Sequence, residues 1–185
     1  AVSSAIMPYL VAILAPAEIR NSALGFITTA GLFIAMLVQP AVGILSDRFG
    51  RKKVLILSAA LFAASAVLAA IPRDVNQFMP ARLLGGLGIG MTSMLSPMYI
   101  AEVAPPKSRG GLGFMYQLAI VAGCVISILV AYFLAGWLPA ETSWRWMFGS
   151  ETLPAVLFMA LMFFVPESPR WLAAAGRSVE ALKVL

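Results

Sequence analysis

Arg82 to Gly111 reads RLLGGLGIGMTSMLSPMYIAEVAPPKSRGG, an arginine followed by an apolar, glycine-rich run that ends in a charged turn. An arginine inside a membrane span is costly, by roughly 3 to more than 10 kcal/mol depending on the scale, so it normally faces a protein interior or a water cavity and has an anionic partner. Gly86 and Gly90 stand four apart, with Gly85 and Gly88 among them. That spacing removes side-chain bulk from one helix face, so that another helix can approach closely.

The rest of the chain has the same character. Of its 185 residues 61% are apolar and 11% charged, and the mean hydropathy is +0.93. Such a composition excludes an ordinary soluble domain and predicts an all-α membrane protein in contact with a lipid bilayer. The net charge of +5 does not point to nucleic acid, because the basic residues sit in short inter-span loops and form no groove with interleaved aromatics. The lone cysteine, Cys124, cannot form an internal disulfide, and no Cys/His cluster offers a metal site, so neither metal nor cofactor is expected. With no histidine, no GxSxG nucleophile elbow and no HExxH, there is no catalytic pattern to support an enzyme.

In chain order, Ala1–Ala15 is the expected outer part of a first span. It lacks a basic start and is followed by further spans, so it is not a cleavable signal peptide. A short polar loop, Pro16 to Asn21, leads to the uncharged run Ser22–Leu45, long enough to cross a hydrocarbon core of about 30 Å at about 1.5 Å per residue. The third span covers Val54–Ile71, whose SAALFAASAVLAA is the composition of a helix packed on more than one side. The fourth runs from about Phe78 to Ile100, the fifth from about Leu112 to Leu138 and the sixth from about Trp146 to Val165. Beyond residue 165, Ser168 with Pro169 starts a short helix. Ser178 can cap another in which Val179, Leu182 and Leu185 share one face. Residues 1–165 are thus read as spans one, partial, to six, and residues 166–185 as the start of cytoplasmic linker helices.

Orientation follows from the loops. Arg48, Arg51, Lys52, Lys53, Lys107, Arg109, Arg170, Arg177 and Lys183 fall on one side, against Arg20, Arg73 and Arg145 on the other. The richer side is cytoplasmic by the positive-inside rule, and Trp137, Trp144 and Trp146 at the opposite end match an interfacial aromatic belt.

The turn GILSDRFGRKK, Gly43 to Lys53, must be tight, which suits Gly50, and its opposite charges can latch it to a neighbouring helix end or merely set topology. As a whole string it resembles the loop motif GxxxDRxGR(R/K) of the major facilitator superfamily. RLLGGLGIG from Arg82, PMYIAEVAPPKSRG from Pro97, the pair Tyr116–Gln117 and PESPRWL from Pro166 are similar, in order and spacing, to the sugar porter branch of that superfamily, and WRWMF from Trp144 adds weaker support. The resemblance covers essentially the whole chain and is nearest to bacterial proton-coupled xylose and hexose importers. It implies the amino-terminal six-helix half of a twelve-span fold, with the first helix truncated, facing a carboxy-terminal half of the same transporter. It also implies a multi-pass protein of the bacterial inner membrane.

The same resemblance implies roles. Asp47, Arg48, Gly50, Arg51, Glu102, Arg109, Glu167 and Arg170 match positions of a cytoplasmic charge network that holds the two halves shut. Such pairs can be made in one state and broken in another, whereas ordinary surface pairs contribute only about 0 to 1 kcal/mol each. Gln117, Ile120, Val121 and Cys124 follow one another at i, i+3, i+4 and i+7 and share a face of the fifth span. Gln117 carries the donors and acceptor that suit a sugar hydroxyl, beside apolar neighbours that suit the ring, or else it bonds a neighbouring helix. The resemblance implies substrate-binding roles for Gln117, Ile120 and Cys124, with Cys124 departing from the amide or aliphatic residue of relatives.

Arg82 and Glu151 enter their spans from the outer side after similar distances, and so lie at comparable depth. They form either a proton-coupling pair or a static packing pair. The family's additional acid in helix one aligns just upstream of Ala1. The expected function is alternating-access transport of a monosaccharide, a pentose or hexose, with proton symport. The alternatives are a uniporter, a carrier of another small polar solute, or a transporter-like nutrient sensor.

Overall fold

The computed structural model describes residues 20–72 and 75–184. The first span expected over Ala1–Ala15 lies outside the described residues, as do Arg73, Asp74 and Leu185. All regular structure among the described residues is helical: α1 Arg20–Phe49, α2 Arg51–Ala70, α3 Val75–Val103, α4 Arg109–Trp137, α5 Ala140–Ser150, α6 Thr152–Phe164, α7 Pro169–Ala174 and α8 Ser178–Val184. Five stretches are long and apolar enough to cross a membrane, Thr29–Phe49, Arg51–Ala70, Gln77–Val103, Arg109–Trp137 and Thr142–Phe164. The helices extend past the apolar limits expected from the sequence, because charged residues such as Asp47 and Arg48 continue a helix once it leaves the hydrocarbon.

The core lies where α1, α2, α3 and α6 meet. Val42, Val54, Leu55, Met91, Leu95 and Met162 are its buried centre. Along α2 the buried positions Val54, Leu55, Ser58, Ala59, Ser65, Ala66 and Ala69 form one helical stripe, so its small residues face neighbouring spans. α3 is closer still to its neighbours. A Cβ at Gly86 would fall on the Gly31 carbonyl and stand 3.0 Å from the Gly31 Cα, and one at Gly90 would stand 2.9 Å from the Ala35 Cα. α1 and α3 therefore cross with their backbones in contact, as the Gly86/Gly90 spacing predicts. Gly85 and Gly88 form a second small face, turned to Ser65 and Phe62 of α2.

The sixth span is broken. Its two parts, α5 and α6, meet at Glu151, whose N–H bonds the Phe148 carbonyl at 3.1 Å in a tightened turn. Pro154 supplies the cause, since it has no N–H to return to Ser150 and its ring crowds that carbonyl. On α5, Ser143, Trp144, Met147 and Phe148 are buried as one face against α2. Trp144, expected in the aromatic belt, is therefore a core residue, while Trp137 and Trp146 are exposed. The Arg145 guanidinium lies 4.9 Å from the Trp144 ring centroid and donates to the Pro72 carbonyl at 3.3 Å, tying α5 to the turn after α2.

Ser168 caps α7 as expected, its Oγ accepting from the Trp171 N–H at 3.3 Å with Pro169 in the first turn. α8 begins one residue earlier than expected. Ser178 is its first residue, and Ala181 is buried while Val179 and Leu182 are exposed. The small Ala181 allows α8 to lie close to α7, and this turns the larger residues outward. α4 has no buried residue along its length.

Candidate functional site

The first site is a cleft of about 380 Å3 among α1, α2, α3 and α6, lined by Gly31, Ser65, Arg82, Gly86, Glu151 and Phe158 among others. Arg82 and Glu151 thus reach the same space from different spans, as their equal depth predicts. Their charges are close enough to interact, yet no ion pair joins them within 4.0 Å among the described residues. Arg82 is held instead by rings. Its guanidinium carbon lies 5.9 Å from the centroids of both Phe78 and Phe148, which pack edge to face at 5.3 Å. Its Nε is buried with no hydrogen-bond partner among the described residues. The guanidinium thus has aromatic rings at one end, an unsatisfied Nε donor and the Glu151 carboxyl group across the cleft.

The second site lies at the cation-rich ends of the spans, the side expected from loop charge to be cytoplasmic. The single residue Gly50 turns α1 into α2 at φ 100°, and its N–H caps α1 by bonding the Ser46 carbonyl at 3.0 Å. A Cβ there would collide with the Glu167 carboxylate, so glycine is required by both conformation and space. Glu167 Oε1 accepts the N–H groups of Lys52 and Ser168, each at 3.0 Å, and thereby caps the amino end of α2. The Trp171 indole N–H donates to the Asp47 carbonyl at 2.8 Å, and the Tyr99 hydroxyl to the Pro166 carbonyl at 2.6 Å.

Arg51 is the hub. It pairs with Glu102 through Nε–Oε2 at 3.2 Å and Nη2–Oε1 at 3.4 Å, with Asp47 Oδ1 at 2.7 Å, and with the Ser46 carbonyl at 3.0 Å. Ser168 Oγ donates to Glu102 Oε2 at 2.5 Å. Asp47, Gly50, Arg51, Glu102 and Glu167 are thus brought together. Arg48, Arg109 and Arg170 are exposed and make no ion pair among the described residues. Sequence reading missed Ser46, Lys52, Tyr99, Ser168 and Trp171 as parts of the latch. For Ser168 the only local signal was that of a helix cap, and its bond to Glu102 crosses 66 positions of chain.

Gln117, Ile120 and Cys124 are exposed on α4 and do not line the Arg82 cleft.

Spans in backbone contact at glycine, ionisable groups facing one cleft inside the bundle and a charge network at its end together define a polytopic helical membrane protein. The comparisons narrow that class: the chain belongs to the family described as Sugar (and other) transporter, whose model matches residues 2–185. It is 48% identical over 152 residues to the arabinose-proton symporter of Bacillus subtilis, covering 77% of this chain and 32% of that protein. To the D-xylose-proton symporter of Escherichia coli K12 it is 39% identical over 188 residues, covering 89% and 38%.

Among solved structures, the proton:xylose symporter XylE bound to 6-bromo-6-deoxy-D-glucose matches with TM-score 0.93 at 36% identity, over 100% of this chain and 44% of that one. The inward open conformation of the xylose transporter XylE from E. coli matches with TM-score 0.86 at 37% identity, over 100% and 48%. The chain spans about a third of the length of the curated relatives it matches. It is a multi-pass membrane protein of the major facilitator fold, in a family of transporters.

Proposed function

We propose that this chain forms the amino-terminal part of a proton-coupled monosaccharide importer that works by alternating access. The observation that carries the reading is Arg82, unpaired but facing Glu151 in the cleft, within a chain similar over its full length to a proton:xylose symporter. A proton arriving at or leaving the Glu151 carboxylate changes the charge opposite Arg82, and with it the balance between two packings of α3 against α6. The break in the span at Glu151, caused by Pro154, supports such a shift.

Gln117 supplies donor and acceptor groups for sugar hydroxyls, Ile120 an apolar surface for the ring, and Cys124 a small wall one turn further on. Their exposure on α4 fits a face that meets substrate and the carboxy-terminal half of the transporter. The exposed cations Arg48, Arg109 and Arg170 are oriented by the Arg51 latch to meet carboxylates of that half when the cytoplasmic side is closed. Asp47, Arg51, Glu102 and Glu167 hold the latch itself together. Pentoses are favoured as substrate by the arabinose- and xylose-proton symporters among the relatives.

A uniporter is the second reading, favoured by a relative named only as a glucose transport protein in Synechocystis, 42% identical over 152 residues. Uptake of a radiolabelled pentose and hexose panel by the full-length protein in proteoliposomes separates the two. Symport predicts accumulation of one sugar above equilibrium only with an inward proton gradient. Equilibration without accumulation would establish the uniporter, and no flux of any sugar would refute both.

A further inference from the structure

Beside the latch, on the cytoplasmic side, the first two turns of α2, the Pro166–Glu167 segment after α6 and the short helices α7 and α8 line a groove of about 740 Å3. Four cations line it, Lys52 and Lys53 from α2 and Arg177 and Lys183 from the α7–α8 segment, against two carboxylates, Glu167 and Glu180. Both carboxylates are engaged. Glu167 accepts two backbone N–H groups at 3.0 Å, and Glu180 Oε1 accepts the Arg177 Nε at 2.8 Å.

The cations are less committed. Lys52 Nζ donates at 2.8 Å to the Phe163 carbonyl, a neutral acceptor that leaves its charge uncompensated. Lys53 and Lys183 are exposed and have no ion pair among the described residues. The remaining walls include the apolar Ile56, Leu172 and Val184. The bond to Phe163 fixes the groove's depth, because Phe163 and Phe164 close a membrane-crossing stretch with side chains 61% and 86% exposed. The cationic groove therefore opens at the level where hydrocarbon gives way to headgroups.

We propose that this groove binds the headgroup of an anionic phospholipid of the cytoplasmic leaflet. The phosphodiester is held by Lys53 and Lys183 with Lys52 behind it, and the acyl chains run along the outer side of α6. Negative charge is required by the excess of cations, and a lipid rather than a soluble anion by the apolar walls and by the exposed aromatic end of the span alongside. Lys52 belongs at once to the groove and to the α1–α2 turn, so an occupied groove would brace the latch from its lipid side.

The test uses the purified full-length protein in mixed micelles of phosphatidylglycerol and phosphatidylcholine, with lipid retained on the protein read by native mass spectrometry. Lys53→Gln with Lys183→Gln should lower the preference for phosphatidylglycerol by roughly tenfold or more, as expected for two cations at an anionic surface. Lys107→Gln, an exposed cytoplasmic cation in another turn, should leave it unchanged. The proposal is overturned by an equal loss in both variants, which would mean diffuse surface charge, or by no preference in the wild type, which would mean that another segment of the protein covers the groove. Competition by millimolar inorganic phosphate would also overturn it, as a soluble-anion site. None of these readouts depends on sugar transport.

Discussion

Arg51 and Glu102 meet through two contacts, 3.2 and 3.4 Å, although 51 positions separate them and they stand at the ends of different spans. Their side chains are only 10% and 5% exposed. Arg177 and Glu180 form a shorter bridge, 2.5 Å, but both are about half exposed. Burial, not length, decides which pair matters. Removing one member of a buried pair strands the other and costs about 3 to 5 kcal/mol, whereas an exposed pair contributes about 0 to 1 kcal/mol. Glu102→Gln should therefore destabilise the full-length protein by about 3 kcal/mol and Glu180→Gln by less than about 1 kcal/mol, checked by thermal unfolding in detergent. Equal losses would show that the Arg51 hub is ordinary surface charge.

Gly50→Ala meets two obstacles, a φ of 100° and the Glu167 carboxylate in the place of its Cβ. The conformational part costs about 1 to 3 kcal/mol, and the collision adds to it. In a Glu167→Ala background the collision disappears and only the conformational cost remains, so the same substitution should be milder there. Unfolding midpoints of the four proteins in this cycle give the answer. An identical penalty in both backgrounds would mean that the carboxylate moves aside freely.

Gly86→Ala and Gly85→Ala change adjacent positions by the same methyl group with different expected results. At Gly86 the methyl falls on the Gly31 backbone, which cannot yield without separating α1 from α3. At Gly85 it falls 2.7 Å from the Ser65 Oγ, which can rotate away from the Ala81 carbonyl it bonds. Overpacking predicts a loss of about 3 kcal/mol or more at Gly86 and about 1 kcal/mol at Gly85. Detergent-solubilised thermal stability checks the order, and a reversed order would contradict the crossing described for α1 and α3.

Arg82→Leu should abolish proton-driven accumulation in the full-length protein while leaving sugar exchange between equal pools measurable. Glu151→Gln should reproduce that pattern, because it fixes the cleft in a neutral state. Counterflow and gradient-driven uptake, measured on one preparation, separate coupling from folding. Undiminished uphill uptake by either variant would remove that residue from the coupling step.

Gln117→Ala removes a hydrogen-bonding amide from an exposed face of α4 and no buried contact. Stability should be unchanged, and the sugar concentration at half-saturation should rise roughly fivefold, the effect of one hydrogen bond of about 1 kcal/mol. A stability loss with unchanged half-saturation would instead assign Gln117 to helix packing.

Much of this arrangement could be read from residue order. The spans among the described residues, the Gly86/Gly90 crossing and the start of α7 at Ser168–Pro169 all rest on local periodicity, composition or capping chemistry. The break at Glu151 also had its cause in view at Pro154. Trp144 shows where such reading stops. Its position near a span end predicted a place in the aromatic belt, but the face of α5 on which it lies is turned to α2, and that choice depends on a neighbour distant in sequence.

The sequence by itself determined which segments cross the membrane, because apolar length and loop charge act on each segment separately. It also pointed to a tight turn suited to Gly50, whereas the structure decided that the turn is a single residue at φ 100° with the Glu167 carboxylate in the place of a Cβ. Only the tertiary structure decided that Arg51, rather than Arg48, Arg109 or Arg170, is the arginine paired with Glu102, and that Arg82 faces Glu151 without bonding it. These distinctions depend on distances of a few ångströms between side chains on different helices. Such distances are set by how closely glycine faces let the spans approach, and no single segment carries that information.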